Sequence, residues 1–199
     1  MATLAFPDII PQSAQWSIVS NTQAFDSPLD GTTQTSALPG AKWAATLTYN
    51  NMQQDNLRTF SAFLAQLRGR SGRFYLYDHS LPTPRGVATG TPLVNGASQT
   101  GSTLITDGWT PSTTGIMKAG DYVGFNDELR ILTADADSDV GGNATLSLDS
   151  PMRSSPANNA VITVIKPKAI MMLTQDESGW GTTPPLLSSF SIPCIEAFS

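Results

Sequence analysis

One cysteine and one histidine stand in 199 residues. Cys194 alone forms no disulfide within the chain, and one thiol plus one imidazole do not complete a structural zinc site. Charge is scarce as well. Asp, Glu, Lys and Arg make up 14% of the residues, against ~25% in ordinary soluble domains. What charge exists leans acidic, with 16 carboxylates, 11 cations and a net of −5. That balance argues against general nucleic-acid binding, which needs a strong positive field. No apolar run reaches the ~18 residues of a membrane-spanning helix. Residues 1–7 carry neither a basic n-region nor an apolar h-region, so no secretory signal is expected. Cytosolic folding fits the cysteine count.

The chain is instead rich in turn formers, with 16 glycines and 14 prolines, and 40% of its residues are hydrophobic. Aromatic and aliphatic residues recur along its whole length, which separates it from disordered sequences. The length suits one large domain or two small ones.

Trp43, Ala45, Leu47 and Tyr49 alternate with Lys42, Ala44, Thr46 and Thr48, the period of a half-buried strand. Leu57, Phe60, Phe63, Leu64 and Leu67 then fall on one stripe and predict a helix over 52–68. Asn50 or Asn51 is the expected cap and Gly69 the expected stop. The helix runs directly into Arg68, Arg70 and Arg73 and then into the strand Phe74-Tyr75-Leu76-Tyr77, apolar on both faces. Earlier, residues 15–19 read as a short strand, 26–31 as a turn and 32–37 as an edge strand.

Beyond Pro82 to Gly86 the texture changes to small polar residues. Short strands are predicted at 103–106, 121–125, 129–133, 144–148 and 160–165, with turns at Asn126-Asp127 and 139–143. Five short strands at close spacing predict a small SH3-like or OB-like barrel. Strands at 169–173 and 189–196 most simply return to pair with the strands of residues 15–78. The expected fold class is therefore mainly β with one helix. A β-sandwich host domain, residues 1–85 plus 167–199, carries an inserted barrel at 86–166.

Candidate chemistry is thin. Asp135 to Asn143 places acids at alternating positions like the start of a calcium loop, but Val140 and Leu146 stand where such a loop needs Gly and Glu. A polar hairpin tip is the simpler reading. Asp78-His79 has no nucleophile elbow to serve. Asp127-Glu128 and Asp176-Glu177 are adjacent acids on turns, and nothing in the sequence places either in a cleft. No catalytic, cofactor-binding or metal-binding residue is assigned. The chemistry that stands out suits a protein interface, where aromatic residues and arginine are enriched. The expected interface residues are Trp43, Arg68, Arg70, Arg73, Tyr75 and Tyr77.

The order of these pieces resembles a known family. A tryptophan strand (Lys42 to Leu47) precedes a helix rich in Leu and Phe, then Leu67-Arg68-Gly69-Arg70-Ser71-Gly72-Arg73-Phe74-Tyr75-Leu76 and the exit Pro84-Arg85-Gly86. A small barrel containing Lys118-Ala119-Gly120-Asp121-Tyr122-Val123-Gly124-Phe125 and a return strand follow. Over roughly residues 38–175 this pattern resembles the distal tail proteins of long-tailed bacteriophages. The resemblance implies an architectural virion protein, made in the host cytoplasm. It would form a ring, typically of six copies, between the tail tube protein and the tip hub and fibres, with no membrane insertion and no catalytic residues. An alternative is a carbohydrate-binding module for host adsorption, with Trp109, Tyr122, Phe125 and Trp180 stacking on sugar rings. An enzyme such as a cell-wall hydrolase is the weakest reading, because no acid pair or nucleophile supports it.

Overall fold

Alternation in the tryptophan segment produces the longest strand of the molecule, and that strand organises the first half of the fold. The structure, a computed structural model, describes residues 2–38, 40–184 and 186–198. In chain order the early strands are β1 (Leu4–Ala5), β2 (Ser13–Val19), β3 (Thr22–Asp26), β4 (Thr33–Ala37) and β5 (Lys42–Met52). Then come helix α1 (Gln54–Leu67), a 3-10 turn at Gly69–Ser71 and β6 (Phe74–Leu76). The middle of the chain supplies β7 (Gly90–Val94), β8 (Thr103–Trp109), β9 (Tyr122–Phe125), β10 (Glu128–Ile131) and β11 (Ala144–Ser147). The last strands are β12 (Ala169–Leu173), β13 (Gly181–Thr183) and β14 (Leu187–Glu196). The chain is mainly β with one α-helix among the described residues. No helix among them is long and apolar enough to cross a membrane.

One sheet has the strand order β1-β6-β12-β14-β5-β2, with β13 also paired to β14. The C-terminal strands return to the early ones: β14 is antiparallel to β5, and β12 is antiparallel to β6. Trp43, Ala45, Leu47 and Tyr49 of β5 are buried, and α1 sets Phe60, Phe63, Leu64 and Leu67 into the same core. Phe74 and Leu76 of β6 complete it from the next strand but two.

Both ends of the helix differ from expectation. The strand continues through Asn50 and Asn51 to Met52, so the N-cap falls on Gln53, whose side chain makes no capping bond. At the other end Arg68 itself takes the left-handed conformation at φ 52°, one residue before Gly69 at φ 67°. Two successive left-handed residues turn the chain sharply back under the helix. Gly72 makes the return possible, since a Cβ there would lie 2.5 Å from the Leu67 carbonyl oxygen.

Residues 86–166 surround a second core that includes Val94, Leu104, Trp109, Met117, Val123 and Leu146. Their sheets are a three-stranded one, β11-β8-β7, and a two-stranded one, β10-β9. None closes into a barrel among the described residues. The expected fifth strand at 160–165 makes only two single bridges, Val161 to Leu93 and Thr163 to Gly124. These partners lie on different sheets, so the segment crosses between them instead of extending either. Entry into this region is fixed by Asp121, which is 4% exposed. Its Oδ1 accepts from the backbone N–H of Arg85 at 2.8 Å, and its Oδ2 from those of Gly86 at 3.1 Å and Lys118 at 2.8 Å.

The two cores meet along a polar seam. Tyr122 and Leu129 pack into the first core although they come from the middle of the chain. Trp43 Nε1 donates to the Leu129 carbonyl at 2.9 Å. Glu196, fully buried, pairs with Arg153 at 2.6 Å and accepts from the Trp43 backbone N–H. β3 and β4 stand apart from all of this as a two-stranded sheet of their own.

Candidate interaction surfaces

The turn after α1 is held by bonds between side chains and its own backbone. Asp176 Oδ1 accepts the Arg70 backbone N–H at 2.9 Å. Ser71 Oγ donates to the Arg68 carbonyl at 2.9 Å. Arg73 Nη1 donates to the carbonyls of Arg70 and Gly72 at 2.9 and 3.0 Å, so its guanidinium closes the turn on itself. Arg68 and Arg70 are exposed, and neither forms an ion pair among the described residues. Beside Arg68 lies a shallow depression of about 510 Å³ lined by Leu4, Ala65, Gln66 and Arg68.

Tyr75 and Tyr77 face a different way. With Phe74 and Leu76 fully buried beneath them, the two tyrosines are half-buried on the opposite face. Tyr75 borders a groove of about 600 Å³ together with Phe125, Asp127, Val161, Ile165 and Lys168. Tyr77 donates to Asp8 Oδ1 at 2.7 Å, and Lys166 reaches the same carboxylate at 3.3 Å. That hydroxyl, and then Lys166, hold Asp8 below the usual carboxylate range. Trp43 is 4% exposed, edge-on to Trp16 and Tyr122. The six expected interface residues are thus not one patch. Arg68 and Arg70 form an open cationic end, Arg73 is structural in its turn, the tyrosines line a groove, and the Trp43 side chain is spent in the core.

The other sequence candidates resolve as local structure. Asp78 accepts from the Ser80 backbone and hydroxyl at 2.9 and 2.6 Å, which bypasses His79. Both His79 nitrogens lack a partner among the described residues, its ring lies 4.3 Å from that of Tyr77, and burial pushes its pKa down. Glu128 is buried against Arg130 at 2.6 Å and does not pair with Asp127. In the 135–143 segment, Asp135 binds the Ala119 N–H, Asp137 the Gly115 N–H, and Asp139 the N–H groups of Gly141 and Asn143. Each carboxylate serves a separate backbone site. Among the described residues no three His, Cys, Asp or Glu side chains group as metal ligands. Of the aromatics considered for sugar stacking, Trp109, Tyr122 and Phe125 are buried and Trp180 is 46% exposed.

The hairpin β3–β4 was readable only as a turn and an edge strand. All of β3 is exposed, including Phe25 at 67%, and Leu29 at the tip is 96% exposed. Gly31 N–H closes the tip onto the Ser27 carbonyl at 3.0 Å, and Asp30 accepts from the Thr32 hydroxyl at 2.8 Å. The signal for its exposure was present in the run Thr32 to Ser36, which offers no apolar residue to either face. Comparison with protein-family models and with curated proteins returns no match.

Proposed function

We propose that this chain is a structural virion protein, a ring-forming adaptor at the distal end of a phage tail that links the tail tube to the tip hub and fibres. The same reading gives it a sandwich-type host of residues 1–85 plus 167–199, with 86–166 as an inserted barrel-like module. The observation that carries the reading is the open cationic end. In a chain of net charge −5, the exposed guanidinium groups of Arg68 and Arg70 pair with no carboxylate among the described residues. Arg58, Arg85, Arg130 and Arg153 all have one. Arginine forks of this kind hold carboxylates across protein interfaces. The ordered sequence pattern of residues 38–175 supplies the tail context.

Identical subunits in a ring use a head-to-tail contact that closes by rotation. Mass photometry over a concentration series, with negative-stain images, tests this. The expected result is a closed ring, six copies in the simplest case, whose repeated contact buries more than ~1,000 Å². A strict monomer at every concentration, alone and with tail-tube and hub proteins added, sinks the proposal.

A further inference from the structure

An isolated two-stranded hairpin is marginal in water. Yet among the described residues β3–β4 pairs with no other strand, and it exposes Phe25 and Leu29. Ile18 and Val19, which lead into it along β2, are 45% and 46% exposed. Exposed apolar residues gathered on one projection mark a surface that another chain covers. The projection is also anionic. Asp26 and Asp30 flank the tip, and hydrogen bonds from Ser27 and Thr32 pull the Asp30 carboxyl down to about 2.

The complement lies on the same molecule, at the other edge of the large sheet. The hairpin leaves from β2, one edge strand, and β1 is the opposite edge. Beside β1 is the depression lined by Leu4, Ala65, Gln66 and Arg68, with Arg70 on the turn that follows. Leu4 and Ala65 offer apolar area to Phe25 and Leu29. Arg68 on the lining and Arg70 on the next turn, neither in an ion pair among the described residues, offer guanidinium groups to Asp26 and Asp30. This sheet is open and four strands separate β2 from β1, so the occupant is a second copy.

We infer that the β3–β4 hairpin of one copy docks in the Leu4–Ala65–Gln66–Arg68 depression of the next, with its acidic tip against Arg68 and Arg70. The contact is heterologous: every copy gives a hairpin and receives one, so assembly propagates until it closes. This rests on the ring-forming reading and names the surfaces that make the ring.

Charge reversal tests it. Leu29→Lys sets a cation against the arginines, and Arg68→Glu with Arg70→Glu reverses the acceptor. Each change is expected to raise the concentration at which copies associate by about tenfold or more. The three changes combined are expected to associate more tightly than Arg68→Glu with Arg70→Glu alone, because the cation of Leu29→Lys then faces the new carboxylates. They should still associate less tightly than the unchanged chain, because Asp26 and Asp30 oppose those carboxylates. All three residues are exposed in the single chain, so the melting temperature should hold. Were a variant to melt early, a second measurement replaces it. Chains carrying Leu29→Cys, mixed with chains carrying Gln66→Cys under mild oxidation, are expected to give disulfide-linked heterodimers, because Cys194 is buried. Assembly indifferent to these changes, or no rescue by the combination, or no cross-link within assembled material, overturns the hairpin contact and leaves the ring to another interface. Response to the reversals with images of open filaments supports the contact and overturns the ring. A monomer at all concentrations overturns both.

Discussion

The large sheet with its helix and the region of residues 86–166 each have an apolar core, but they are held by different forces. In the first, rings interlock. Tyr49 lies 4.7 Å from Phe60 and 5.2 Å from Phe190, and Phe6 meets Phe60, Phe63 and Phe74 within 5.6 Å. In the second, no aromatic pair falls inside the core among the described residues. Its strands are four to seven residues long, and polar side chains are buried among them: Thr106, Asp121, Glu128, Arg130 and Ser138. Non-directional burial stabilises the first region, so it tolerates a change of shape better than a loss of volume. Directional bonds from side chain to backbone define the second, so it tolerates neither partner being changed.

The largest expected effect tests the aromatic half. Phe60 is fully buried where Tyr49, Phe190 and Phe6 converge. Phe60→Ala should cost about 3–5 kcal/mol, and Phe60→Leu clearly less, measured as the shift in urea midpoint. Equal costs for the two would mean that ring geometry, not volume, carries this core.

Next in size is the polar half. Asp121→Asn keeps the volume but turns an amide NH₂ toward N–H groups that now donate to carboxylate. Three backbone donors converge there, from Arg85, Gly86 and Lys118. A loss of about 2 kcal/mol is expected from one unsatisfied buried donor set. Hydrogen exchange at the Gly86 and Lys118 amides should quicken while that of α1 stays slow. Uniform quickening across both regions would erase the distinction between them.

The contrast also explains what could be read in advance. Long elements with a clean period were legible: β5 by the alternation of Trp43 to Tyr49, and α1 by the stripe of Phe60, Phe63, Leu64 and Leu67. The return of 169–173 and 189–196 to the early strands was legible too, because the first is an apolar run, the second alternates, and both need a partner sheet. The closed barrel was not obtained. Short strands carry too little period to say whether a segment such as 160–165 extends one sheet or bridges two, and here it bridges two. The Arg153–Glu196 pair was invisible for a related reason: its partners are 43 positions apart and share no pattern. At the candidate surface, Arg68 and Arg70 were legible as a cluster of like charge. Arg73 belongs to the same cluster, yet its geometry turns it inward onto three carbonyls.

The smallest effect sharpens the comparison at the groove between the two regions. His79 has no hydrogen-bond partner on either nitrogen among the described residues, and its surroundings mix signs: Asp8 and Asp78 favour its cation, Lys166 opposes it. Burial is the largest influence and lowers its pKa from the ordinary 6.5. The unfolded chain therefore takes up this proton at higher pH than the folded one. Below pH 6.5 the unfolded state binds more protons, so stability falls as pH drops through that window and levels off below the folded pKa. His79→Gln should flatten the slope of urea midpoint against pH between pH 7 and 5, and leave the steeper loss at lower pH in place. That lower loss belongs to carboxylates such as Asp8, held low by the Tyr77 hydroxyl and by Lys166 and protonated only when pH falls further. An unchanged slope in the variant would show that the imidazole is solvated, and that the seam around Tyr77 is open to water rather than part of either core.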